Sequence, residues 1–284
     1  MIINRLLLRI FIKSEIYLYQ SLKKNLSKVD YKVIAICVVV PFVLTCNFYF
    51  GDFRFLVSIL RDFNLLVLAQ RIEDVMTIYH NAQLYQLLYW ATVISFFYFV
   101  VPSILVICFF REKLTAYGLG LNGAFKDYKL YVLMLIIMIP LVFYFSDTDG
   151  FQAKYPFYEV AKGESLYPNF LVWQLFYFLQ FFALEFFFRG FILHGTKQRF
   201  GFYAIFVMTI PYCMIHFGKP MVETIAAIIA GIILGVLSLK SRSIWLGVMI
   251  HCSVAFVMDL SVLYRKGVLH DQWNMLIGTS GFIE

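Results

Sequence analysis

The chain has 284 residues, of which 62% are hydrophobic, 19% aromatic and only 14% charged. Soluble domains carry roughly 45–50% apolar and about 25% charged residues, so this composition excludes a soluble globular protein and points to an integral membrane protein. The net charge of +7 is therefore not a nucleic-acid footprint; its meaning lies in where the lysines and arginines fall relative to the apolar runs.

Residues 1–28 alternate Leu, Ile and Phe with Arg5, Arg9, Lys13, Lys23, Lys24 and Lys28, which suits a helix lying on an anionic membrane surface. Arg5, Arg9, Lys13 and Glu15 interrupt the apolar run, so it does not read as a signal peptide. A first crossing is predicted over Tyr31–Phe50, kinked at Pro41. Residues 52–74 space Phe53, Phe55, Leu56, Ile59, Leu60, Phe63, Leu66 and Val67 among charges, which predicts an amphipathic helix that does not cross. Further crossings are predicted over 85–110, with Pro102 inside, and over Tyr128–Phe145. Residues 146–169 carry Asp147, Asp149, Glu159 and Glu164 and read as an extramembrane loop. A fourth crossing over 170–195 is followed by a short turn to Gly201, a fifth over 202–217, a sixth over 221–239 and a seventh over 243–264.

Counting Lys and Arg between the crossings gives 15 on the side of the N-terminus and 8 on the other, which favours a cytoplasmic N-terminus. The five cysteines have no CxxC or metal-type spacing and read as small buried side chains. In the sixth crossing Ala227, Gly231 and Gly235 recur every fourth residue, a stripe that lets helices approach closely.

Ionisable residues in an apolar bundle cost several kcal/mol each, ~2.5–3.5 on insertion scales, so those present have a reason: an internal ion pair that glues helices together, or a reaction site. Glu185 and Arg189 are four apart, on one helix face. At ~1.5 Å rise per residue, Glu185, Arg189 and His251 lie ~9–15 Å from one end of their helices, while His216, Glu223 and Asp259 lie ~22–25 Å in. A carboxylate can take a proton from water, and a neutral imidazole can position that water or donate to an oxyanion. Glu223 also suits a helix N-terminus, where a carboxylate is favoured.

Three motifs in order resemble the CAAX protease and bacteriocin-processing membrane proteins, also called the Abi family. The family's Glu-Glu pair, three residues and Arg-Gly is matched here by Leu184-Glu185 and Arg189-Gly190. Its aromatic residue, three residues and His is matched by Tyr212 and His216; its His, three residues and Asn by His251 and Ala255. The resemblance covers about residues 165–262. It implies a helical intramembrane endopeptidase of a bacterial plasma (inner) membrane, opening into a membrane-embedded cavity. In the family, glutamate and histidine activate water while the later histidine and asparagine steady the oxyanion. Two positions depart from the pattern: Leu184 stands where the first Glu belongs and Ala255 where the Asn belongs.

The expected fold is thus an all-α polytopic membrane bundle of about seven transmembrane helices plus amphipathic interfacial helices. Residues 1–127 form an N-terminal amphipathic segment with two spans, and 128–284 a bundle holding the motifs. The expected catalytic residues are Glu185, His216, Glu223 and His251, supported by Arg189 and Asp259. If a divalent metal such as zinc is used, His216, His251, Glu223 and Asp259 are its candidate ligands. The substrate would be a membrane-associated peptide or protein in the lipid bilayer, with no nucleic-acid partner. The competing readings are an inactive relative acting as a membrane scaffold and, less well matched because no internal repeat is present, a small transporter.

Overall fold

A computed structural model describes residues 29–160 and 164–276, so the basic stretch 1–28 lies outside the described residues. Helix α1 (Tyr31–Phe50) starts where the Asp30 side chain accepts the Val33 N–H at 3.1 Å, satisfying one of the donors a helix start leaves open. The expected amphipathic helix is two helices, α2 (Phe53–Asp62) and α3 (Leu66–Thr77). Asn64 separates them at a φ of 59°, a left-handed conformation its short polar side chain tolerates. Phe53, Val57 and Ala69 fill the seam between the pair. Helix α4 (Ala82–Phe109) winds as π-helix on both sides of Pro102, over Phe96–Val100 and Leu105–Phe109. Proline has no N–H to give to the helix ladder, and a register change is one way to absorb it.

Helix α5 (Tyr128–Phe145) is only 11% buried over its crossing window, and exposes Leu133, Ile136, Ile137 and Tyr144. An apolar face of that size is an aggregation surface in water and an ordinary lipid-facing surface in a bilayer. Among the described residues six stretches are long and apolar enough to cross a membrane, and the protein is an integral membrane protein. The fourth of these, Asn169–Met214, has 46 residues, ~69 Å if it were straight, against ~30 Å of hydrocarbon. It bends. Helix α6 (Asn169–Glu185) continues as π-helix over Phe186–His194 and as α-helix over Gly195–Phe200. At Gly201 φ is +56° and ψ is −130°, a region open to glycine alone. The chain reverses there, and α7 (Ala204–Met214) folds back so that Tyr212 meets Phe188 with ring centroids 5.3 Å apart. The fifth expected crossing is therefore a half-length helix of 11 residues, ~16 Å long.

Gly201→Ala is expected to cost about 1–3 kcal/mol through backbone strain alone, because an added Cβ there meets nothing within 4 Å. Thermal unfolding in detergent would read this as a lower Tm; an unchanged Tm would mean the reversal does not depend on this conformation.

Helices α8 (Met221–Ser241), α9 (Trp245–Arg265) and α10 (Val268–Leu276) complete the chain order. The small-residue stripe of α8 is where α7 docks. A Cβ on Gly231 would stand 3.1 Å from Tyr212 Cδ1, and one on Gly235 3.0 Å from Ile205 Cγ2. The main apolar cluster joins Ile36, Val43, Phe186, Phe188, Ile205 and Tyr212 from α1, α6 and α7. The segment 146–169 is less of an outside loop than its charges imply: Phe151, Tyr155 and Tyr158 are buried, and Tyr155 reaches into the bundle.

Candidate active site

The α6 carboxylate is the centre of the site. Glu185 and Arg189 are both fully buried, with Arg189 Nη1 2.9 Å from Glu185 Oε1. His251 on α9 brings Nδ1 to 2.8 Å from the same oxygen. These are ion-pair distances; the N–H directions miss hydrogen-bond alignment, and Glu185 Oε2 has no hydrogen-bond partner among the described residues. Gly247, four residues before His251 and on the same face of α9, makes room for the carboxylate. A Cβ there would lie 2.5 Å from Glu185 Oε2.

Tyr212 joins this pair to His216. Its hydroxyl lies 2.9 Å from His251 Nε2, and the Arg189 guanidinium carbon stacks 4.0 Å from its ring centroid. With His251 Nδ1–H toward Glu185, Nε2 is the acceptor and the phenol is the donor. The Tyr212 carbonyl accepts from His216 Nδ1 at 2.9 Å. A carbonyl can only accept, so the His216 proton is on Nδ1 and the Nε2 lone pair is left for other work. Phe181 stacks on His251 at 5.6 Å and 13°, fixing the plane of the imidazole.

The other two acids bond to partners outside this cluster. Glu223 accepts from Tyr155 at 2.9 Å on each oxygen and pairs with Lys219 at 2.7 Å. Burial, with Tyr177 and Glu223 nearby, pushes the Tyr155 phenol far above its ordinary value, so it remains a donor to that carboxylate. Asp259 is fully buried and accepts from Gln174 at 2.7 Å. The four expected metal ligands, His216, His251, Glu223 and Asp259, are thus not gathered. Among the described residues no group of three or more His, Cys, Asp and Glu is arranged to hold a metal ion. His251 is turned to Glu185 and Tyr212 and Glu223 to Tyr155 and Lys219, while the atoms still open, His216 Nε2 and Asp259 Oδ1, belong to residues that no third ligand joins. The donor set does not fit a metal site.

Residues 167–257 match the family described as type II CAAX prenyl endopeptidase Rce1-like. This stretch belongs to the CAAX protease family. No curated protein and no solved structure matches the chain. The CAAX-protease stretch contains every residue of the cluster just described, from Phe181 and Glu185 to His251. Its two departures are packed as apolar side chains. Leu184 is buried among the phenylalanines of the main cluster, and Ala255 lies in a second cluster with Trp173 and Tyr177.

Three contributors were not singled out by the sequence reading as members of the site: Gly247, Phe181 and Tyr155. Gly247 had a usable signal, since four residues before a histidine is the same helix face. Tyr155 had none, because its segment is polar by composition. A cleft of about 860 Å³ lies elsewhere, lined by Glu112, Lys197 and Arg242 among others. The motif residues, not this volume, identify the candidate active site, because the cleft contains none of them.

Proposed function

We propose that this CAAX-protease stretch is an intramembrane endopeptidase in which His216 and His251 carry the hydrolysis and Glu185 orients His251. The observation that carries the reading is the 2.8 Å contact of Glu185 with His251, which joins the first and third motifs, with Tyr212 leading on to His216. His216 Nε2 takes a proton from the attacking water and returns it to the leaving amine. His251, oriented at Nδ1 by the Glu185 carboxylate and accepting from the Tyr212 hydroxyl at Nε2, holds the phenol and its own ring in place beside His216, the positioning role a buried acid gives a catalytic imidazole. Arg189 balances Glu185 and holds the π-wound end of α6 in register. The substrate is a membrane-associated peptide or protein that enters from the bilayer. The 15-to-8 distribution of Lys and Arg supports a cytoplasmic N-terminus; a bacterial inner membrane is what the family resemblance implies.

The test is cleavage of a library of membrane-anchored peptides by the purified protein. His216→Ala is expected to slow cleavage by about 10²-fold, within the usual range for loss of a general acid–base group. Glu223→Gln is expected to leave it within about threefold, because Glu223 is engaged by Tyr155 and Lys219 rather than by either imidazole. Unchanged cleavage by His216→Ala would sink the assignment. A second reading, a membrane scaffold that binds a hydrophobic partner without cutting it, is favoured by one observation: Leu184 and Ala255 leave the family's first Glu and its Asn unreplaced by polar groups at those positions. Wild-type protein that binds library members and cleaves none would support it.

A further inference from the structure

A second polar site lies where α4, α6 and α8 end, outside the motif cluster. The lining of the cleft of about 860 Å³ there includes Glu112, Lys113, Thr115, Lys197, Leu239 and Arg242. Glu112 is the acid among these six, and it is already occupied. Lys32 Nζ lies 2.7 Å and 2.9 Å from its two oxygens, and the Tyr117 hydroxyl donates to it at 2.6 Å. Partial burial pushes its carboxyl up, but the hydrogen bonds from Lys32 and Tyr117 outweigh that and hold it below the ordinary carboxylate range. Glu112 and Lys32 therefore cancel, and Lys113, Lys197 and Arg242 remain as three uncompensated cations around one cleft.

The middle cation is held in place. Lys197 Nζ donates to His194 Nδ1 at 2.9 Å. An ammonium can only donate, so His194 is neutral with its proton on Nε2, from which it donates to Ser238 Oγ at 3.2 Å. His194 and Ser238 are 3% and 2% exposed, so the ammonium is anchored on a buried pair linking α6 to α8. Arg242 caps α8 at a φ of 55°, which turns the chain over the cleft. Lys113 and Arg242 form no ion pair among the described residues. Like charges around a partly enclosed space repel one another, and a bound anion reverses the sign of that interaction. Basic pockets between helix ends at a bilayer surface are suited to phosphate headgroups.

We propose that this cleft binds a phosphate-bearing anion, with Lys113, Lys197 and Arg242 on its oxygens and the Thr115 hydroxyl as a further donor. The chemistry is shared by a phospholipid headgroup and by a free phosphate. The experiment uses the full-length protein in a phosphate-free, neutral detergent and follows its Tm while dioctanoyl phosphatidylglycerol or inorganic phosphate is added. Wild type is expected to gain Tm in a saturable way. Arg242→Asn, which keeps a residue tolerant of the left-handed conformation, and Lys113→Gln, on an exposed side chain, are each expected to raise the half-saturating concentration about five-fold. A response to the lipid far stronger than to phosphate assigns a headgroup; equal responses assign a free anion. No shift with either compound, or the same half-saturation in wild type and both variants, overturns the proposal.

Discussion

Glu185→Met is expected to destabilise the protein by about 3–5 kcal/mol, the usual cost of removing one partner from a buried ion pair. Arg189 is then left fully buried with no carboxylate beside it. A guanidinium cannot shed its proton to escape, so the penalty is not relieved. Arg189→Met is expected to cost less. The stranded Glu185 can take a proton and still has His251 beside it at 2.8 Å. The double variant Glu185→Met/Arg189→Met is expected to recover most of the loss, since apolar replacement of a whole buried pair is often neutral. In phenylalanine-rich surroundings two methionines have the shape freedom to pack. Unfolding free energies of the two singles and the double in detergent micelles give the coupling. Additive losses in the double variant would mean that each residue is held by other partners, and the pair would cease to be the anchor of α6. Cleavage activity separates this from chemistry: the double variant is expected to fold and to be inactive, because His251 has lost its orienting acid.

The crossing helices were legible because length and hydropathy are set residue by residue. Expected and observed boundaries differ by only a few residues at α4, α8 and α9. α7 was not legible as a half-length helix. The apolar run continues past Met214 to Phe217, and composition does not register that Ile215 onward is turn rather than helix. The π-winding at Phe186–His194 was equally hidden, since apolar periodicity over so short a run does not separate π from α winding. For the site, depth arithmetic placed Glu185 and His251 at the same level, because rise per residue is fixed. It could not say which way each side chain turned. Glu223 and Asp259 are therefore the instructive cases. Their place in the chain made them compensating acids, but Tyr155, from a segment that reads as a polar loop, takes one, and Gln174 takes the other. Three buried aromatics in a charged segment left no periodic signal.

Gly247→Ala tests whether the orienting contact governs activity. The added Cβ would meet Glu185 Oε2 at 2.5 Å and Glu185 Cδ at 3.1 Å, closer than side chains approach. A flexible surface glutamate would move aside at little cost. Glu185 is fully buried, with Arg189 and His251 both on Oε1, so a shift large enough to clear the methyl moves the carboxylate off one of them. Overpacking of this kind costs about 1–3 kcal/mol. The kinetic effect is expected to be larger, about 10²-fold in cleavage rate, the order associated with misplacing a catalytic group by about 1 Å. Gly231→Ala is the control. Its Cβ would press on Tyr212 and Thr209 at 3.1–3.3 Å without touching Glu185, so it is expected to cost stability with a smaller loss of rate. Measured side by side, a rate loss in Gly247→Ala no greater than in Gly231→Ala would mean that Glu185 does not orient His251 during turnover. A selective loss, at matched stability, would tie the catalytic competence of this family core to a glycine whose only contribution is the space it leaves.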